Sequence, residues 1–576
     1  MTHRTATRRP RPAWGLALVA LVPLVALAQP ARADRLAQFG PDTVLPGSGG
    51  AEPSLVIDLG SAHHDAIYVT AISPGPNIWH SYDLGKTWSQ PVGFDSSGTS
   101  PGGDADVDVA PDGTVYVVDL NISHNWVQVS TDGAKTFSTG TATAPESDRP
   151  WITAGAGKTV YVAYHDFAGE VPVVCTSTDG GSTFTSCNDA LQGAAAIPCA
   201  ENTNISKKLR VDPSDGSLNF MIECSTTQEN AGQPPYGPVH DYYLAQSTDG
   251  GLTYTVYPVY TADTSGGKAP TLANFWTSMY IDNAGNYYAL MDGSMDDTHP
   301  MQNPFHVYLL TSKDHGHTWG APVQVDHEPD GRGTHVLSDI VATAPGQVDV
   351  VFYGTTATGE PNGVCGDFAA QGPCPESSGF AAAGKPGAPA WYVSMAQSFN
   401  ALDSHPTFTQ TRLTGTPTHY GELCTNGLVC SASDRSLLDY ISVGVDCQGD
   451  AHVAFGGNPD EATGGKVMVH EVDQVGGSVV APPAACPQTA AGSNGGGNPV
   501  TPAANPAPSA SPAPAPAVTP PALPNTAAGS GGVATGVAAG VVALAAAGYL
   551  RRRRGRGSDV PSAADEPARP GPAPPW

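Results

Sequence analysis

One octapeptide pattern recurs five times and constrains the fold of this chain more than any other feature: SYDLGKTW from Ser81, STDGAKTF from Ser130, STDGGSTF from Ser177, STDGGLTY from Ser247 and SKDHGHTW from Ser312. Each copy keeps Ser, Asp, Thr and a closing aromatic in register, and Ala134 alone departs from Gly at the fifth position. These residue types suit a tight hairpin. Asp and Ser side chains cap turn amides, Gly adopts positive φ, and the aromatic packs under the next strand. Asp83, Asp132, Asp179, Asp249 and Asp314 are therefore read as folding devices rather than as reactive carboxylates.

A second repeat runs out of phase with the first, an apolar strand, a turn and another apolar strand. Its copies begin at Val56, Val107, Trp151, Leu209, Met279, Ile340 and Val443, as in VDVAPDGTVYVVD and MYIDNAGNYYALMD. Strand pairs alternating with hairpins build four-stranded blades set radially, an arrangement that leaves only short sheet edges. The reading is all-β, a β-propeller of seven blades. Blade six ends in a degenerate hairpin between Trp391 and Leu413 and carries an insertion with Cys365 and Cys374. Blade seven shows three strands, and the segment Leu36 to Leu45 is placed as its fourth, closing the ring.

The octapeptide matches the Asp-box, or BNR repeat, and the arrangement resembles the sialidase superfamily over roughly Ala51 to Val475. That family is six-bladed, which is the alternative to seven. Its enzymes set three arginines on the substrate carboxylate and use a Tyr nucleophile assisted by Glu, with an Asp acid/base. Residue by residue this carries over poorly: the family's first arginine lies in an (F/Y)RIP motif before the first box, and no arginine stands between Arg35 and Ser81 here. Two function classes follow. One is a glycan-directed, sialidase-like propeller, as an enzyme an exo-acting glycoside hydrolase with substrate unassigned; the other is a non-catalytic adhesion or scaffold module.

In propellers of this family the Asp-box turns occupy one face and the remaining loops converge on the other. The converging face is assigned Asp104, Asp106, Asp119, Asp148, Arg149, His165, Asp166, Glu223, Asp339, Tyr353, Arg435 and Asp439. From these and their neighbours the candidate catalytic set is Asp148, Arg149, Asp166, Arg435 and Tyr440. Asp104, Asp106 and Asp119 form the candidate metal set, with calcium as the cation, because hard ions take carboxylate oxygens and alternate strand residues point the same way. The competing reading is that these carboxylates only cap loops beside Arg149 and His165.

The ends place this body outside the cell. Residues 1–33 combine Arg4, Arg8, Arg9 and Arg11, an apolar run from Trp14 to Ala28 and a small-residue Ala31-Arg32-Ala33 site, the pattern of a secretory signal peptide. After the propeller, 34–488, comes a Pro/Ala-rich stalk, 489–522, whose composition supports no core and reads as a disordered, extended spacer. Residues 523–556 hold Leu523-Pro524-Asn525-Thr526-Ala527, an apolar run from Val533 to Leu550 read as a C-terminal anchor helix, and the arginines 551–554 and 556; a polar Pro-rich tail, 557–576, follows. This order resembles a sortase cell-wall sorting signal, although Ala527 replaces the usual Gly. The resemblance implies covalent attachment to the cell wall through Thr526, and the alternative is a plain transmembrane anchor.

The ten cysteines lie between Cys175 and Cys486, and an even number in an exported chain reads as disulfides. Short separations favour Cys175 with Cys187, Cys199 with Cys224, Cys365 with Cys374 and Cys424 with Cys430, leaving Cys447 for Cys486; spacing alone does not fix the pairing. No CxxC pair is present, which argues against zinc among the cysteines. Between Asp34 and Thr526 the chain has 15 Lys plus Arg against 50 Asp plus Glu, a formal charge of −35. Such a body excludes nucleic acid as a partner, since phosphate binding needs a basic face.

Overall fold

Each apolar strand pair folds as the sequence pattern demands, into an antiparallel hairpin such as Ser54–Ile57 with Ile67–Ala71, where Leu55 faces Val69. The computed structural model describes the chain from Arg35 to Pro487, apart from residues 62, 64, 73–76, 94–103, 122–123, 146, 167–170, 192–202, 206, 226–238, 269, 273–277, 296–303, 329–332, 360, 362–387, 424–435 and 461–464. The signal, stalk, sorting motif, apolar run 533–550 and tail lie outside the described residues. Among the described residues no helix is long and apolar enough to cross a membrane.

Seven blades surround a central channel. Their inner strands are, in order, Ser54–Ile57, Ala105–Val109, Ser147–Ala154, Arg210–Val211, Met279–Ile281, Thr334–Ala344 and Ser442–Val445. In blades one to three the four strands follow one another outward without a crossover. Blades four and five are joined into one sheet, because the connecting strand Thr271–Leu272 pairs with Val239 on one side and Gly293 on the other. Seven, rather than six, is the number that the structure displays.

The ring is closed by the amino-terminal segment. Gln38–Phe39 and Thr43–Val44 both pair antiparallel with Met468–Gly476, the third strand of blade seven. Leu45 is fully buried with Leu55, Ile57, Trp79 and Val469, so the closing strand also fills the seam between blades seven and one. Asp42 Oδ2 lies 2.6 Å from His470 Nδ1 and reinforces the same joint.

The five octapeptide repeats fold with one geometry, seen in Ser130 to Thr136. Ser130 donates to Asp132 Oδ1 at 2.8 Å and accepts from the Ala134 amide at 2.9 Å; the Thr136 amide and hydroxyl donate to the two Asp132 oxygens at 3.0 and 2.6 Å. Residues four and five of each box take positive φ, and Ala134 does so at 65°, which explains why Gly dominates there. These bonds, the threonine hydroxyl's first, hold the Asp179 and Asp249 carboxyls down at about 2. Blade six carries a sixth, altered hairpin of this kind: Asn400 Oδ1 accepts from the Thr407 amide at 2.9 Å and from the Ser398 hydroxyl at 3.3 Å, and the Asn400 backbone N–H donates to Ser398 Oγ at 3.2 Å. Three extra residues and an Asn in place of Asp hid it from the sequence pattern.

Cys175 is joined to Cys187 across adjacent strands, and Cys447 to Cys486. Cys224 is disulfide-bonded, while Cys199, Cys365, Cys374, Cys424 and Cys430 lie outside the described residues.

Candidate functional site

Strained backbone recurs at the inner strands of five of the seven blades. Glu52, Arg149, Lys208, Leu337 and Leu438, at or just before the inner strands of blades one, three, four, six and seven, all hold φ between 49° and 59°. For bulky residues such conformations cost about 1–3 kcal/mol and persist where surrounding contacts over-determine them. Those contacts are mostly charges and rings.

Arg149 is the centre. It is 1% exposed, its guanidinium lies 4.4 Å from the ring centroids of both Trp151 and Tyr440, and its Nη1 sits 3.6 Å from Glu52 Oε2 and 3.5 Å from Asp104 Oδ1. The candidate pair Arg149 and Tyr440, from blades three and seven, is thus in direct contact. Asp104, 19% exposed, is the edge of this group that meets solvent. Asp148 pairs with His165 in the strand register, its side chain outside the described residues, and Arg435 is outside them altogether. Asp166 ends the second strand of blade three and is half-buried.

Two consecutive lysines brace the channel in different directions. Lys208 Nζ reaches Asp106 Oδ1 at 3.2 Å and the Val107 carbonyl at 3.0 Å in blade two. Lys207 Nζ reaches Asp339 Oδ2 at 2.7 Å in blade six, donates to the Ile441 carbonyl in blade seven, and stands 5.1 Å from the Tyr440 ring. Burial pulls the Lys207 ammonium down to about 8 against the opposing pull of Asp339. The two aspartates are equivalent: Asp106 accepts from Ser54 Oγ of the preceding blade and the Ile152 amide of the next, and Asp339 accepts likewise from Ser278 Oγ and the Val443 amide.

For the metal set, this means that both oxygens of the fully buried Asp106 are engaged by protein donors. Asp119 is 1% exposed and pairs in register with Ala105. Tyr353 also ties blades, exchanging bonds of 2.9 and 3.0 Å with the Gly456 amide and carbonyl. The sequence reading did not single out Lys207 and Lys208, although adjacent lysines in so cation-poor a body were a signal.

A second polar locus lies at the rim. The connection after the outer strand of blade five crosses the outer strands of blade six, leaving a cleft of about 340 Å³ lined by His327, Glu328, Ser394, Gln410 and Arg412. The His327 amide donates to Gln410 Oε1 at 2.9 Å, and the Arg412 guanidinium stacks 3.9 Å from the Tyr392 ring centroid. The wall thus presents a carboxylate, a planar cation, a carboxamide and a hydroxyl.

The chain is an all-β, seven-bladed propeller with a charge-braced channel. No family model matches it, and no curated protein matches it. Among solved structures it is similar to a protein of unknown function from Dyadobacter fermentans, at 14% identity over 76% of this chain and 99% of that one, with a TM-score of 0.41. It is also similar to a polysaccharide lyase, an ulvan lyase, at 12% identity over 75% and 95% with a TM-score of 0.45. A variant of NanB sialidase from Streptococcus pneumoniae shares 11% identity over 78% and 72%, with a TM-score of 0.35.

Proposed function

We propose that this chain is an exported, envelope-tethered propeller that recognises carbohydrate. The observation that carries the reading is the rim cleft. Sugar hydroxyls are met by planar, directional polar groups held by a rigid scaffold, and Glu328, Gln410, Arg412 and Ser394 supply that chemistry in one wall. Arg412 is exposed and stacked on Tyr392, so its guanidinium is presented to solvent as a planar donor. The charge of the body favours neutral over polyanionic glycans. The signal, stalk and sorting motif support a position outside the cell, attached through Thr526.

A hydrolytic reading is favoured by one feature, the contact between Arg149 and Tyr440 beside Asp104. Against it stands the burial of both Arg149 and Tyr440, each 1% exposed. Screening the full chain on a glycan array and against fluorogenic exo-glycosides separates the two. Carbohydrate recognition at the rim requires saturable binding to a neutral glycan that falls at least tenfold in Arg412→Ala, with no turnover. Turnover lost in Tyr440→Phe supports hydrolysis instead, and neither binding nor turnover refutes both.

A further inference from the structure

We propose that His306, Asp326 and His335, at the joint of blades five and six, form a binding site for a divalent transition metal, with zinc the ion their chemistry fits. The three donor atoms lie within 4.8 Å of one another. Asp326 Oδ2 is 2.8 Å from His306 Nδ1 and 2.7 Å from His335 Nδ1. Asp326 is fully buried and its other oxygen accepts the Val307 amide at 2.7 Å, which fixes the carboxylate plane.

His335 provides the independent observation. Its ring is 1% exposed, and its Nδ1 stands 2.7 Å from Asp326 Oδ2, an ion pair whose place an ion shared by the two groups would take. The opposite nitrogen, Nε2, lies 3.4 Å from Glu328 Oε1, the carboxylate partner that orients a metal-bound imidazole and raises its basicity. The space for the ring is made by glycines: a Cβ on Gly354 would stand 2.5 Å from His335 Cδ2, and one on Gly333 would meet Glu328 Cγ at 3.0 Å.

Two imidazoles and one carboxylate suit zinc, whose open sites keep three protein ligands and a fourth position for solvent or substrate. They do not suit calcium, which takes six to eight oxygens. Ligands about 2.0–2.1 Å from a tetrahedral ion stand roughly 3.3 Å apart, so donors now 2.7–2.8 Å apart must open by about half an ångström. His306, 15% exposed, gives the ion its route in. Gln324 Nε2 also approaches His306 Nδ1, at 3.0 Å, and donates to the Asp326 carbonyl at 2.9 Å; with an ion bound it keeps the second bond. A second group, Asp212, Asp215 and His315, has its donor atoms equally close, but Asp212 is already engaged by Ser214 and Tyr287, and this group serves as the internal control.

The full chain is loaded with zinc chloride, dialysed against metal-free buffer and assayed for metal per chain by mass spectrometry. The expected result is one zinc per chain, falling at least fivefold in His306→Gln and in Asp326→Asn and unchanged in Asp215→Asn. His306→Gln is the decisive variant because its partly exposed side chain is replaced without emptying the core, and its melting curve in chelator must match that of the wild type. A wild type that retains no zinc, or a His306→Gln protein that retains it in full, overturns the proposal. So does loss of the ion in Asp215→Asn alone.

Discussion

Ring closure by a ten-residue segment makes a sharp demand on two adjacent side chains. Leu45 is 0% exposed and packs with Leu55, Ile57, Trp79 and Val469, whereas Val44, the residue before it, is 45% exposed. Leu45→Ala removes buried methyl groups from the seam between blades seven and one, at a cost of about 2–5 kcal/mol. Val44→Ala costs less than about 0.5 kcal/mol, as surface changes do. At roughly 2 cal/mol/K per residue, a body of about 450 residues unfolds with an entropy near 1 kcal/mol/K, so the leucine change lowers Tm by about 2–5 °C and the valine change by less than about 1 °C. The assay is differential scanning calorimetry on the disulfide-intact protein at one scan rate. A Leu45→Ala protein melting within 1 °C of the wild type, or a Val44→Ala protein falling as far, refutes closure by this strand as the source of cooperativity.

Lys208→Met strands the buried Asp106 without its cation and is expected to destabilise by about 3–5 kcal/mol, while adding Asp106→Asn recovers part of the loss; a double variant no better than the single, by urea titration, refutes the coupling. Stability is expected to fall as pH rises from 5 to 9. Burial lowers His452, but its bonds to Asp446 and Glu471 outweigh that and lift it to about 9, so its contribution, full below about 6.5, is lost on passing 9. Burial lifts Asp349 to about 7, against the opposing bond from Gln397, so the folded state binds the extra proton between about 4 and 7 and also loses stability upward; thermal melts that rise over this range contradict both. Replacing Thr526 by Ala is expected to move the protein from the wall fraction to the membrane fraction, and full detergent extraction of the wild type contradicts wall attachment.

The octapeptide hairpins were legible in the sequence because every bond that makes them spans two to four residues, as from Ser81 to Asp83 and Asp83 to Thr87. Local chemistry of that kind repeats wherever the letters repeat, and the alternation of boxes with apolar strand pairs then leaves the number of blades to be counted. The Asn400 hairpin was legible only as a degenerate one, because its insertion breaks the spacing while preserving the bonding. The closing strand was also readable, since blade seven lacked a partner and Leu36 to Leu45 lacked a sheet.

What surrounds the channel was not readable in this way. Lys208 meets Val107 101 residues away and Lys207 meets Ile441 across 234, so neither pairing has a local signature. Asp104, Asp106 and Asp119 were grouped because alternate strand residues point the same way and hard cations take carboxylates; that Arg149 stands 3.5 Å from Asp104 and Lys208 3.2 Å from Asp106 had no local signature. His306, Asp326 and His335 carry no motif spacing at all, because they meet only where blade five hands over to blade six. The sequence by itself determined the blade and the hairpin, whose energies are set within one sheet, and the strand that completes blade seven. Only the tertiary structure decided which charges neutralise one another, because that depends on which inner strands the ring brings side by side.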